Sequence, residues 1–235
     1  MNNGKDEKDY RQLSRLGMRL GIPTIEAFLE LEVQDRAGNV VSSRRQRSHS
    51  WVRNLYNLLF CQAAAVGSAS GTGLQIVDTA GTTRSNGAVQ PASGQVSTGS
   101  GRIYVESGKA FFAGSGVDTF GIVVGSGADP ESFEDHALAT KIATGNGAGQ
   151  LAYTAMDAPL TVTEGTTKKA TWGRYFNNNS GSPITVNEVG IYTYGSHDNY
   201  WVYMMLCRDL VAGGLEVPNT GQLKVNYIIQ LTYPS

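Results

Sequence analysis

Lys169-Ala170-Thr171-Trp172-Gly173-Arg174-Tyr175-Phe176-Asn177-Asn178-Asn179-Ser180-Gly181-Ser182-Pro183-Ile184-Thr185-Val186 decides the fold class of this chain. Two runs of β-branched and aromatic residues flank a stretch of Asn, Ser, Gly and Pro, the residues that reverse a chain. The same rhythm continues on both sides. Leu160–Thr163, Ile184–Val186 running to Ile191-Tyr192, Trp201–Leu206 and Leu223–Ile229 read as strands, and Val217-Pro218-Asn219-Thr220-Gly221 is a second strong turn. Short strands at this spacing predict an antiparallel sandwich or barrel, not βαβ units.

Toward the N-terminus the pattern loosens. Arg102–Val105, Ala110–Phe112 and Thr119–Gly125 are brief β-prone runs, the last with the composition of a central strand. Residues 67–101 are mostly Gly, Ser, Thr, Ala and Asn and read as surface loops around one apolar island, Leu74–Val77. Residues 50–66 read as a buried amphipathic helix capped by Ser48 or Ser50, with Trp51, Leu55, Leu58, Leu59 and Ala63 on one face. Thr24–Val33 alternates Glu26, Glu30 and Glu32 with Ile25, Ala27, Leu29, Leu31 and Val33, and Phe28 alone breaks the period. With the turn residues Asp35–Asn39 behind it, this segment opens a hairpin over 24–46. Residues 1–23 form an arm. Tyr10, Leu13, Leu16 and Leu20 make a weak helical stripe that packs on the body, docks on a neighbouring subunit, or frays. The fold expected is mainly β, an antiparallel β-sandwich or jelly-roll-like core, with the arm helix and one buried helix, in a single domain over 24–235.

Composition narrows the function. The 235 residues include 29 glycines without a collagen period, and 40% hydrophobic content is enough to bury a core. Nineteen Lys and Arg against 20 Asp and Glu leave a net charge of −1, which supplies no global pull toward nucleic acid or an anionic membrane. No apolar run approaches the roughly 18 residues of a membrane span, and the first residues lack a secretory signal, so a soluble chain made in a cytoplasm is expected. Cys61 and Cys207 sit in apolar surroundings and read as core residues.

Signals for catalysis are weak. His49, His136 and His197 lie in no nucleophilic motif, and the glycine tracts lack the lysine of a phosphate-binding loop. The cluster Asp129-Pro130-Glu131-Ser132-Phe133-Glu134-Asp135-His136 offers oxygen ligands or paired carboxylates (Asp129, Glu131, Asp135), but its spacing fits neither a calcium loop nor a glycosidase pair; a solvated acidic turn is favoured. No cofactor, metal or catalytic residue is assigned, and the chain is read as a non-enzyme.

Signals for binding are stronger. Arg36, Arg44, Arg45, Arg47 and Arg53 occupy a stretch, Arg36 to Val77, that contains no Asp or Glu. Subunit contact is favoured there over phosphate binding, with a rim of ion pairs as the plain structural alternative. Arg44, Arg45, Arg47, Trp51, Arg53, Tyr56 and Phe60 are the candidate interface residues. Tyr192, Tyr194, His197, Asp198, Asn199, Tyr200 and Trp201 cluster either as a hairpin tip or as a site for host surface glycan. Glu188 and Arg208 are charged groups in otherwise apolar strands and are expected to pair.

Three segments together resemble tailed-bacteriophage virion proteins of the small β-sandwich kind. They are Gly121–Gly127 followed by Asp129-Pro130 and Asp135–Leu138; Arg174–Gly181 with Ile184–Tyr192; and Leu206-Cys207-Arg208-Asp209-Leu210 with Val217-Pro218 and Gly221–Tyr227. The resemblance covers about half the chain and rests on a G-x-G loop, an N-x-S-G turn, an E-V-G strand and an R-D segment in that order. It implies a non-enzymatic structural subunit of the virion. Such a subunit binds copies of itself and neighbouring proteins of the tail or baseplate, or serves as a capsid decoration or cement protein. A receptor- or glycan-binding module on the particle is the alternative. No membrane partner is expected, and nucleic acid is disfavoured.

Overall fold

The computed structural model describes residues 3–64, 74–84, 88–89, 102–103, 112–197 and 200–234. The chain is mainly β, built from α1 (Asn3–Arg19), β1 (Thr24–Gln34), β2 (Val40–Ser48), α2 (Arg53–Ala64), β3 (Ile76–Val77), β4 (Thr83–Arg84), β5 (Ala88–Val89), β6 (Arg102–Ile103), β7 (Gly121–Gly125), β8 (Ala152–Tyr153), β9 (Leu160–Glu164), β10 (Thr167–Asn177), β11 (Ile184–His197), β12 (Tyr200–Val217) and β13 (Gln222–Thr232). One sheet runs β2-β1-β13-β10-β8, with β9 also on β10; the second runs β12-β11-β7. Every pairing in both is antiparallel. The parallel pair β5–β6 stands apart from them.

The two sheets share a core. Ala27, Leu29, Leu31 and Val33 from β1 and Leu223, Val225 and Tyr227 from β13 face Ile122–Val124, Val189, Ile191, Met205 and Cys207 from the other sheet. Period-two alternation puts every second residue of β1 inside, as its glutamates outside require. Phe28 lies on the outer face with those glutamates. The Arg45 and Arg47 guanidiniums cover its ring at 4.3 and 4.9 Å from the centroid, so cation–π contact with β2 buries the side chain without the core.

Two local expectations are corrected, and a third falls largely outside the described residues. β7 is wholly buried, yet in its ladder it is an edge strand that pairs with β11; the loop from Ser126 covers its other side, Ser126 N–H to the Thr140 carbonyl and Ile142 N–H to that of Val124. Ala110–Phe112 yields no described strand, since 104–111 lie outside the described residues and Phe112 is irregular. α2 begins at Arg53 without the Ser48 cap: the Ser48 hydroxyl donates to Asp209 Oδ2 at 2.6 Å, and the Phe133 carbonyl takes the Arg53 N–H at 2.9 Å.

Of the loop region 67–101, the described part holds the β3–β4 hairpin, its turn closed by Asp78 Oδ1 on the Ala80 and Thr82 amides, and β5. Ile76, from the apolar island, is buried with Leu58 of α2 and Val202, Met204 and Leu206 of β12 in a second core cluster. The rest of that region lies outside the described residues. So does the Cys61 side chain; Cys207 is a free, buried thiol whose pKa burial pushes up.

Candidate assembly interface

Arg45 and Arg47 of β2 lie on the outer face, opposite Glu30 and Phe28, whereas Arg44, opposite Leu31, reaches toward the second sheet, and each has a partner in this chain. Arg45 pairs with Glu30 across the β1–β2 ladder at 3.1 Å, and Arg44 Nη1 donates to the Ala212 carbonyl. Arg47 is the most buried of them, bonded to Glu26 at 2.7 Å and to Glu7 of α1 at 3.2 Å. Its guanidinium also lies 4.6 Å from the Tyr10 ring centroid. Arg53 donates to Glu134 at 2.8 Å over the Phe133 ring. Arg45, Arg47 and Arg53 of the basic stretch are thus ion-paired within the chain, with acids that the sequence holds elsewhere.

Arg47 anchors the arm. Glu7 and Tyr10 dock on it, while Leu13 and Leu20 are about 60% exposed and Leu16 is 41% exposed. Ile22 and Ile25 continue this exposed apolar surface along the chain. The Arg47 hydrogen bond holds the Glu7 carboxyl below its ordinary value of 4.5. A depressed acid contributes docking energy at and above that ordinary value and loses it as pH falls through the lowered one. The Tyr10 ring resonances should thus keep their folded NMR shifts at about pH 5 and move toward coil values in stronger acid. Shifts unchanged until the whole fold melts would refute this anchor.

α2 divides its side chains unevenly. Asn54 is buried, its amide donating to the Val77 and Met205 carbonyls and accepting from Val77 N–H, while Leu58 enters the second core. Trp51, just before the helix, packs against the main core with its indole N–H on the Tyr227 hydroxyl at 3.0 Å. Its polar edge is therefore engaged within the chain, and the ring is partly buried. Tyr56, Leu59 and Phe60 are each about half exposed, and Leu59 borders an apolar notch of about 130 Å³ with Ile25, Trp172 and Ile229.

Glu188 and Arg208 meet in the interior. Arg208 Nε donates to Glu188 Oε2 at 2.7 Å, and neither side chain is more than 2% exposed. The other guanidinium nitrogens donate to the Asp129 and Pro130 carbonyls and to Asp135 Oδ2. Glu188 also accepts the amides of Gly127, Ala139 and Thr140. The pair thereby fastens the whole acidic segment to the sheet.

This latch explains the short motifs. A Cβ on Gly125 or Gly127 would collide with Glu188 Oε1 and with the backbone at Thr140, so the G-x-G spacing makes room for the carboxylate. A Cβ on Gly190 would press on Leu138, which accounts for the glycine of E-V-G. In the N-x-S-G turn the buried Asn178 amide donates to the Ser182 and Val217 carbonyls and accepts from Ser180. Each motif serves the fold.

The acidic cluster does not converge on itself. Asp135 turns to Arg208, Glu134 to Arg53, and Glu131 Oε1 to the Leu210 amide at 2.7 Å, whereas Asp129 contributes its carbonyl to Arg208. The aromatic group at the β11–β12 end is mostly interior: Tyr192 and Tyr194 are buried. Burial pushes the Tyr192 phenol up to about 12, and its oxygen takes the Leu138 amide at 2.6 Å. Trp201 is 57% exposed and packs edge-on against Tyr194 at 5.1 Å. Asp198 and Asn199 lie outside the described residues, as do the side chains of His197 and Tyr200. No protein-family model, curated protein or solved structure matches this chain.

Proposed function

We propose that the chain is a non-enzymatic structural subunit of a bacteriophage virion, assembling with copies of itself and with neighbouring tail or capsid proteins. One observation carries the assembly part. The arm is fastened to its own body by Glu7 and Tyr10, yet the stripe of Leu13, Leu16 and Leu20 faces outward, beside exposed Ile22 and Ile25. Several large apolar side chains left exposed on one short segment support a contact site. Tyr56, Leu59 and Phe60 of α2 add a second such surface. The virion assignment rests on the resemblance of residues 121–235, and no helix among the described residues is long and apolar enough to cross a membrane.

The glycan reading draws less support, since Tyr192 and Tyr194 are committed to the core and Trp201 is the one described aromatic of that cluster left open. Light scattering of the full chain should give a defined oligomer, and a chain starting at Thr24 should dissociate. A monomer from both, at concentrations well above about 100 μM, would reject self-assembly through the arm.

A further inference from the structure

We propose that His49, Glu131 and Asp209 form a binding site for a divalent transition-metal cation. The three come from distant parts of the sequence: the end of β2, the loop after β7, and β12. One imidazole nitrogen and one oxygen of each carboxylate all lie within 4.8 Å of one another. His49 Nδ1 is 3.5 Å from Asp209 Oδ1, while the opposite ring nitrogen, Nε2, is 3.9 Å from Glu131 Oε2. A cation held at about 2.0 to 2.2 Å by nitrogen and oxygen ligands sets those ligands roughly 3 to 4 Å apart, so one imidazole nitrogen meets one carboxylate at that spacing and the set of three, within 4.8 Å, must contract slightly on binding.

Two further features point to a cation. The Asp209 side chain is completely buried, and among the described residues the His49 imidazole is the group within ion-pair range of it, with no lysine or arginine there. Two carboxylates at a shared site call for a counter-charge. Both carboxylates are also held in place by hydrogen-bond donors. The Ser48 hydroxyl holds Asp209 Oδ2, the His49 and Ser50 amides hold Oδ1, and the Leu210 amide holds Glu131 Oε1, which leaves Glu131 Oε2 on the His49 side. His49 and Glu131 line a cavity of about 700 Å³, walled by Glu7 and Tyr10 of the arm, with room for water to complete the coordination. The arginines of that cavity each have an acid, Arg11 and Arg47 sharing Glu7, Arg47 bonding Glu26 as well, and Arg45 bonding Glu30. One nitrogen and two oxygen ligands suit zinc or manganese; calcium, which takes oxygen ligands, fits poorly.

The test is calorimetric titration of the chelator-treated full chain with ZnCl₂, MnCl₂ and CaCl₂. Zinc or manganese should bind at one equivalent and raise the melting temperature. His49→Ala and Glu131→Gln, each melting like the parent in chelator, should weaken that binding at least about tenfold and abolish the thermal shift. Three results would overturn the site: no saturable binding below about 100 μM, zinc binding undiminished in His49→Ala, or calcium bound as tightly as zinc.

Discussion

Arg208→Met should lower the melting temperature by roughly 10 °C. Glu188 would remain at 0% exposure with its cationic partner gone, and breaking a buried pair from one side costs about 3 to 5 kcal/mol. A domain of this size shifts by roughly 2 to 4 °C per kcal/mol. The three backbone amides on Glu188 soften the loss but do not remove it, because Asp135 and the Asp129 and Pro130 carbonyls lose their donor as well. Arg208→Lys should fall between, since one ammonium cannot reach acceptors spread around a guanidinium fork. Hydrogen exchange locates the damage: amides of residues 126–140 should lose protection first, with β1 and β13 following only on global unfolding. Glu188→Gln keeps one acceptor oxygen, enough for the Gly127 and Thr140 amides, and loses the one that serves Ala139 and Arg208; with Asp135 still on Arg208 it should cost less than Arg208→Met. A melting curve unchanged in Arg208→Met would mean that the pair contributes no net stability.

The strands were legible because their signals are local. Alternation in β1, the Asp35–Asn39 turn and the Asn178–Gly181 turn each state their conformation within a few residues, and the antiparallel architecture follows from such turns. Charge in an apolar strand was legible too, because a buried ion must find a partner and Glu188 and Arg208 were the candidates in sight. Where several partners compete across long separations, sequence is silent. Ser48 looks like a helix cap by position, but Asp209, distant in sequence, claims its hydroxyl. β7 reads as central from its run of Ile and Val, yet a loop satisfies its far side, and burial alone cannot distinguish a loop from a strand. Phe28 breaks the alternation because two arginines across the hairpin serve as its cover.

The candidate surfaces divide the same way. An acid-free run of arginines signals charge to be matched, but not that Glu7, Glu26, Glu30 and Glu134 match it within the same chain. The helical stripe of the arm is visible in sequence, whereas its orientation depends on Arg47 holding the polar side of α1. His49, Glu131 and Asp209 carry no spacing signal at all, since the sandwich topology alone brings them together.

Arg174 is the second position where one side chain organises a region, and among the described residues it does so without a carboxylate in contact. Its guanidinium is buried, with hydrogen bonds to the carbonyls of Gly114, Val117, Phe120, Ile122 and Thr154. Tyr153 and Phe176 flank it at 4.8 and 5.8 Å, the cation lying against their rings. Burial draws its pKa down to about 10, which still leaves it charged at neutral pH. Arg174→Met fills a similar volume between the rings but takes the guanidinium donors from these carbonyls, of which Gly114 keeps the Val117 amide. Each buried, unsatisfied group costs about 1 to 3 kcal/mol, partly relieved by relaxation and water, so a loss of about 4 kcal/mol or more is expected. Arg174→Lys decides what the residue supplies. If the forked set of donors matters, Lys should be nearly as damaging as Met, because its three N–H groups radiate from one atom. If charge against the aromatic faces matters, Lys should recover most of the stability. The fork is the expected answer, read from denaturant midpoints at constant m-value and from early loss of amide protection across 113–124. Full recovery by Lys would reassign Arg174 from a backbone clamp to a cation packed between two rings.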